Sequence, residues 1–229
     1  MSRIETVMLL HGIGGNRTGK SDDYFQYLDN ECKKMGVNCV IPSMPRGAEY
    51  ETWREEFNNG GFDKSVCPET LVLAQSLGTQ FFVKYLCEKA GKISGNDEVG
   101  AYISCAGMKH LTKVRDVSDN LGGSIDTSGN ERAEEFLVKT VDSFKVSDKE
   151  YKCFKNFKFP KVSIYGGRDL FYSKDNLEAY ADAIGAKKVF LKERGHFSGV
   201  DGHTEFPEAL DLVKAKLVNR KSKSSEVGL

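Results

Sequence analysis

One serine in this 229-residue chain stands where a nucleophile is expected. Ser76 follows an apolar run that contains β-branched Val72, and directly after Ser76 the hydrophobic pattern changes to that of a helix. A serine at such a strand-to-helix corner has a strained backbone, and the residues two before and two after it must be small because strand and helix approach closely. Those residues are Ala74 and Gly78, so the segment is a variant of the G-x-S-x-G nucleophile elbow. An ordinary serine at a helix N-cap is the alternative interpretation.

Two side chains that could activate this serine follow later strands. Asp169 comes directly after the apolar run Lys161–Tyr165, and His196 comes shortly after the run Lys187–Leu191. A histidine can take the proton of a serine hydroxyl, and a carboxylate can hold that histidine in the required tautomer. The chain order serine, acid, histidine is the order expected of the α/β-hydrolase fold. The sequence therefore predicts a catalytic triad of Ser76, His196 and Asp169.

Other residues remain open for each of these roles. His203 is an alternative base, although it lies in the turn before the last helix and not at a strand end. Asp175 and Asp201 are alternative acids, but neither directly follows a strand. Cys105 is an alternative nucleophile, and its place inside an apolar strand favours an inert core residue.

A glycine-rich turn, His11–Asn16, follows the first apolar strand. Backbone N–H groups in such a turn can point at an anion. An oxyanion hole takes one N–H from the residue after the nucleophile and another from a turn of this kind, so Leu77 and Ile13 are the candidates, with Gly14 as a substitute for Ile13. We expect His11 to brace the turn by hydrogen bonds. A phosphate-binding loop is the alternative, but the spacing matches neither glycine-rich phosphate motif.

Strands and helices that alternate along the chain must position these residues. Besides the run before Ser76, the predicted strands are Glu5–Leu10, Val37–Pro45, Glu98–Ala106, Lys161–Tyr165 and Lys187–Leu191. Besides the segment after Ser76, helical periodicity covers Asp22–Met35, Tyr50–Phe57 and Phe206–Val218. This alternation predicts an α/β fold with a mostly parallel six-stranded sheet and helices on both faces. The site is then expected at the carboxyl ends of the strands.

Residues 108–159 interrupt this alternation. Residues 117–130 are mostly turn-forming, and two amphipathic stretches rich in aromatic residues follow, the second beginning with a capping box at Ser147. One prediction is an inserted helical lid in which Phe136 and Phe144 contact the substrate. The alternative is that these aromatic side chains pack in the core.

Composition and charge limit the classes of function that this chain could have. Lys plus Arg and Asp plus Glu both number 33, so the formal charge is zero and no overall field favours nucleic acid or an anionic membrane. The 6 cysteines lack metal-ligand spacing, no apolar run reaches the roughly 20 residues of a membrane span, and the first strand is too short for a signal peptide. We expect one domain over residues 1–219, a disordered tail over 220–229 and a location in the cytoplasm.

The chain resembles the small serine hydrolases of the α/β-hydrolase superfamily, most nearly the retinoblastoma-binding-protein-nine type. The resemblance rests on five segments, which are His11–Gly15, Val40–Pro45, Leu73–Gln80, Gly166–Asp169 and Gly195–Leu210. It implies hydrolysis of a small carboxylic ester, or of a thioester or amide, through an acyl-enzyme intermediate and without metal or organic cofactor. Gln75 stands where that group usually has histidine. We therefore count Gln75 and Gly14, with Phe136 and Phe144, as candidate substrate contacts.

A protein of the same fold that only binds a partner, with its serine unused, is the competing interpretation. The complete set of Ser76, Asp169 and His196 argues against it, because a binding module has no need for these three residue types at these places. The expected partner is a small ester or acyl substrate, and the sequence identifies no protein partner.

Overall fold

The computed structural model describes residues 3–12, 23–45, 47–90, 99–111, 139–198 and 204–218. Within these ranges one sheet contains six strands, which are β1 (Thr6–Leu10), β2 (Asn38–Val40), β3 (Thr70–Gln75), β4 (Ala101–Cys105), β5 (Lys161–Gly166) and β6 (Lys187–Leu191). The strand order is β2-β1-β3-β4-β5-β6, and every pairing is parallel. The predicted six-stranded parallel sheet is confirmed.

Helices cover both faces of this sheet, as predicted. They are α1 (Asp23–Lys34), α2 (Tyr50–Asn59), α3 (Leu77–Ala90), α4 (Asp148–Asn156), α5 (Lys174–Ile184) and α6 (Pro207–Val218). Helices α2, α3, α4 and α5 contribute to one hydrophobic cluster, through residues such as Trp53 and Phe82. Helices α1 and α6 contribute to the other, through residues such as Leu28 and Leu210. In the described part of the chain, no helix combines the length and the apolarity that a membrane crossing needs.

The central strand β3 is buried along its whole length. Val72 and Ala74 belong to one hydrophobic cluster, whereas Leu71 and Leu73 belong to the other. Successive strand residues point to opposite faces, so a strand covered on both sides needs apolar residues at every position. This requirement explains the continuous apolar run that leads to Ser76.

Strand β2 is shorter than the sequence predicted. The apolar pattern predicts a strand over Val37–Pro45, whereas β2 covers Asn38–Val40 at the edge of the sheet. Pro42 and Pro45 have no backbone N–H and cannot donate to a neighbouring strand. The oxygen of Pro45 instead accepts a hydrogen bond of 2.8 Å from the Trp53 indole.

The described part of segment 108–159 packs on the sheet. The capping box at the start of α4 is present, since Ser147 Oγ accepts from Glu150 N and a Glu150 carboxylate oxygen accepts from Ser147 N. Phe154 on α4 is fully buried, and its ring centroid lies 5.2 Å from that of Tyr102 on β4. Helix α4 is therefore a packed part of the connection between β4 and β5. The turn-rich stretch 117–130 lies outside the described residues.

Candidate active site

The carboxyl ends of β1 and β3 meet at the point where the strand order reverses. From β1 the chain moves outward to β2, then returns to β3 and continues on the other side through β4, β5 and β6. Ligands of open α/β sheets bind in the crevice at such a point. Gly12 follows β1 and Ser76 follows β3, so these two residues border the expected crevice.

Ser76 lies at a tight corner between β3 and α3. Its φ is 51°, a left-handed conformation that is strained for a residue other than glycine. Ala74 is fully buried, and a Cβ atom added to Gly78 would lie only 2.6 Å from the carbonyl oxygen of His11. The strand-to-helix corner with small neighbours, predicted from the sequence, is therefore present.

The structure brings together the three residues predicted as the triad. His196 Nε2 lies 2.9 Å from Ser76 Oγ, and His196 Nδ1 lies 2.8 Å from Asp169 Oδ2. The other oxygen of Asp169, Oδ1, accepts from the backbone N–H groups of Phe171 and Tyr172 at 2.8 and 3.0 Å. A carboxylate only accepts, so Nδ1 carries the hydrogen and Nε2 is left to accept the serine proton. The side chains of His196 and Asp169 are only 7% and 1% exposed.

Two aromatic rings beside the imidazole were not found by sequence reasoning. The ring centroids of Phe171 and Tyr172 lie 4.6 and 5.7 Å from that of His196. Their backbone N–H groups hold Asp169, so one short turn both orients the acid and covers the base. The sequence signal was their position within three residues of Asp169.

His11 braces the turn after β1, as expected. It is 1% exposed, its Nδ1 lies 2.6 Å from the oxygen of Gly12, and its Nε2 accepts from Met44 N at 3.1 Å. These bonds require a hydrogen on Nδ1 and none on Nε2, which is a neutral tautomer. Burial lowers the pKa of His11, against a smaller opposite effect of its bond to Gly12. Both observations describe a structural histidine.

One predicted oxyanion donor lies beside Ser76. Leu77 is the first residue of α3, so its N–H has no acceptor within the helix, and the helix dipole favours an anion there. Ile13 and Gly14 lie outside the described residues. Gly12, which sequence reasoning did not single out within the glycine-rich turn, faces the nucleophile, because an added Cβ atom would lie 3.0 Å from Ser76 Cβ.

The other candidate substrate contacts are buried or outside the described residues. Gln75 is 3% exposed, and its Nε2 donates to the carbonyl oxygen of His196 at 3.2 Å. Phe144 is fully buried, with ring centroids 4.9 Å from Trp53 and 5.9 Å from Tyr50. This burial corresponds to the core alternative for Phe144 and leaves its ring no surface for a ligand. Phe136 lies outside the described residues.

Two of the four alternatives to the triad residues lie in the described part of the chain, and neither is placed for the chemistry. Asp175 is exposed in the first turn of α5. Cys105 is fully buried, and burial raises the pKa of its thiol, which disfavours the reactive thiolate. His203 and Asp201 lie outside the described residues. Among the residues that are described, no group of three His, Cys, Asp or Glu side chains is arranged to hold a metal ion.

Only the comparison with solved structures finds proteins that are similar to this chain. No protein-family model and no curated protein sequence matches it. The ydeN gene product of B. subtilis aligns with a TM-score of 0.71 at 16% identity, over 93% of this chain and 98% of that chain. A carboxylesterase of the thaumarchaeon Nitrososphaera gargenis aligns with a TM-score of 0.65 at 14% identity, over 96% of this chain and 92% of that chain.

A third similar structure carries a different activity in its name. The bromoperoxidase of Bacillus anthracis aligns with a TM-score of 0.61 at 16% identity, over 91% of both chains. Together these similarities show that the chain has the α/β-hydrolase fold. One fold hosts many reactions, so the reaction must be argued from the site.

Proposed function

We propose that this protein of the α/β-hydrolase fold is a serine hydrolase that cleaves a small carboxylic ester through an acyl-enzyme intermediate. The proposal rests on one observation, the hydrogen-bonded series from Ser76 Oγ through His196 to Asp169, with distances of 2.9 and 2.8 Å. A serine hydroxyl is a weak nucleophile unless a base is in contact with it. This series supplies the base and the group that orients it.

In the first half of the reaction, Ser76 Oγ attacks the carbonyl carbon of the ester while its proton moves to His196 Nε2. Asp169 stabilises the resulting imidazolium through its bond to Nδ1–H. The tetrahedral intermediate then collapses, the bond to the alcohol oxygen breaks, and the alcohol leaves with the proton from Nε2. The acyl group remains on Ser76.

In the second half, water replaces the alcohol. Nε2 takes a proton from water as the water oxygen attacks the acyl carbon, and that proton then returns to Ser76 as the acid leaves. In both tetrahedral intermediates the oxyanion accepts from the N–H of Leu77, and we assign the second donor to Ile13. One such donor is worth roughly 3 to 4 kcal/mol of barrier in a known enzyme.

The same chemistry applies to a thioester or an amide. We place esters ahead of amides because an alcohol is a better leaving group than an amine, and ahead of thioesters because a carboxylesterase is among the similar structures. The scheme needs only the residues named above, the ester and water, so it includes no cofactor.

A fluorophosphonate probe tests the proposal directly. Its phosphorus is attacked by an activated serine with loss of fluoride, so the folded protein should become labelled at Ser76 and lose hydrolysis of p-nitrophenyl esters. The Ser76→Ala variant should show neither labelling nor turnover, while Ser43→Ala, at an exposed serine, should behave like the unmodified protein. Folded protein that is neither labelled nor active would contradict the proposal and favour a binding module.

A further inference from the structure

Gln75 connects the nucleophile and the base by a second route. It is the last residue of β3 and precedes Ser76. Its buried amide donates from Nε2 to the carbonyl oxygen of His196, a residue 121 positions away in the chain. This bond joins the strand that carries the nucleophile to the main chain of the base, independently of the bond between Ser76 Oγ and His196 Nε2.

The main chain around His196 needs such an anchor. His196 follows β6 in a stretch without regular structure, and Phe197 after it has a φ of 55°. A residue other than glycine keeps this strained conformation only when its surroundings hold it there. The carbonyl that Gln75 binds belongs to the peptide unit between His196 and Phe197, so the amide holds that unit in place.

The far side of the Gln75 amide is confined as well. A Cβ atom added to Gly12 would lie 2.7 Å from Gln75 Oε1. The amide is therefore held between the turn after β1 and the loop that carries His196, and its exposed fraction is only 3%. A side chain held on both sides can transmit its position to the residue it binds.

We propose that Gln75 is a positioning residue that holds the His196 main chain so that Nε2 stays within hydrogen-bond distance of Ser76 Oγ. This inference rests on the proposed function. The role requires an N–H donor, because the bound atom is a carbonyl oxygen. Methionine has a similar length without a donor, leucine is smaller and also lacks one, and histidine retains an N–H at comparable reach.

The test compares Gln75→Met with Gln75→His and with a matched control, Gln80→Met. Gln80 is 1% exposed and also donates from its buried amide to a main-chain carbonyl, but to that of Met108. Each variant is measured for kcat and KM on p-nitrophenyl butyrate, for the rate of fluorophosphonate labelling and for thermal midpoint. These readouts separate the position of the base from general stability.

We expect Gln75→Met to lower kcat and the labelling rate by about 10- to 100-fold, with little change in KM, because a displacement of about 1 Å in a catalytic group costs up to that much. Gln75→His should recover most of the lost kcat. Gln80→Met should lower the thermal midpoint at least as much as Gln75→Met does, because the Gln80 amide also bonds to the Tyr151 hydroxyl, yet it should keep the kcat of the unmodified protein.

The inference is wrong if Gln75→Met keeps its kcat and labelling rate while its thermal midpoint falls like that of Gln80→Met. If Gln75→Met does not fold, Gln75→Leu provides the same comparison with a smaller side chain that also lacks a donor, and an unchanged kcat there would overturn the inference equally. Absence of labelling in the unmodified protein is a different result, because it removes the proposed function itself.

Discussion

At the scale of single residues, the candidate site depends on where hydrogens lie on two imidazole rings. Asp169 accepts from His196 Nδ1 and from two backbone N–H groups, which leaves Nε2 as the acceptor toward Ser76. His11 has the same tautomer for a different purpose, because it joins Gly12 to the chain after β2. One ring is therefore placed for proton transfer and the other for support.

Replacing Asp169 by Asn should lower kcat/KM by about 10⁴-fold while the protein stays folded. An amide has one acceptor oxygen. If that oxygen accepts from the N–H groups of Phe171 and Tyr172, the NH₂ group faces His196 Nδ1, and the imidazole must then carry its hydrogen on Nε2. Ester hydrolysis and circular dichroism of the variant check this, and a folded variant with undiminished turnover would refute the role of Asp169.

The buried His11 should make stability fall in mild acid. Its pKa is lowered from 6.5 in the folded state, so below that pH the unfolded chain binds the proton more readily. Above about pH 6.5 the imidazole is neutral in both states, so its titration does not change the free energy of unfolding. As the pH falls below that value, the free energy of unfolding decreases. Urea unfolding at several pH values should show a smaller acid decrease in His11→Gln than in His110→Gln, an exposed control. Equal decreases in the two variants would contradict this.

At the scale of elements, the site depends on how closely α3 approaches the end of β1. Gly78 in the first turn of α3 lies against the carbonyl oxygens of Leu10 and His11, at distances of 2.8 and 2.6 Å from an added Cβ atom. These neighbours are backbone atoms, which cannot rotate away. The absence of a side chain at Gly78 therefore sets where Ser76 and the N–H of Leu77 stand.

Gly78→Ala should lower both stability and kcat/KM, because the methyl group pushes the start of α3 away from β1 and moves Ser76. Gly100→Ala is the matched control, since its methyl would meet the backbone oxygen of Pro68 at the amino end of β4, away from the site. Thermal midpoints should fall for both variants, and the specific activity of the folded protein only for Gly78→Ala. If both variants keep full specific activity, the close approach does not position the nucleophile.

At the scale of the whole molecule, two hydrophobic clusters hold the sheet between two layers of helices. Phe144 and Phe154 belong to the same cluster as Trp53 and Phe82, although they come from the segment that interrupts the predicted alternation. Their burial makes the described part of that segment a component of the core. Its removal would therefore affect folding before it affected substrate choice.

Phe144→Ala should destabilise the protein by about 3 to 5 kcal/mol, the usual cost of removing a buried phenylalanine, and leave the preference among short and longer acyl esters unchanged. Phe190→Ala, at a ring that is 42% exposed and contacts the Tyr165 ring, should destabilise the protein by less than Phe144→Ala, because only part of its apolar surface is buried. Chemical unfolding and ester profiles of both variants decide the point. An altered acyl preference with unchanged stability would restore Phe144 as a substrate contact.

The sequence by itself determined the parallel sheet, the corner at Ser76 and the capping box at Ser147. It also singled out Asp169 and His196, which the structure places in series with Ser76. These features depend on local patterns, because apolar runs, small residues at a tight corner and polar residues directly after a strand are all read within about ten positions. In a parallel sheet the carboxyl ends of all strands lie at the same edge, so these local patterns are enough to predict where the site lies.

Only the tertiary structure decided which side chains meet across long separations. It ended β2 at Val40, placed Phe144 in the core against Trp53, and directed the amide of Gln75 to the carbonyl of His196. An apolar periodicity indicates that an aromatic ring is buried, but it does not indicate which residues the ring packs against. Likewise, the side chain of a glutamine beside a nucleophile can contact either the substrate or the backbone. Both are decided by packing between residues that are far apart in the chain, which no local pattern contains.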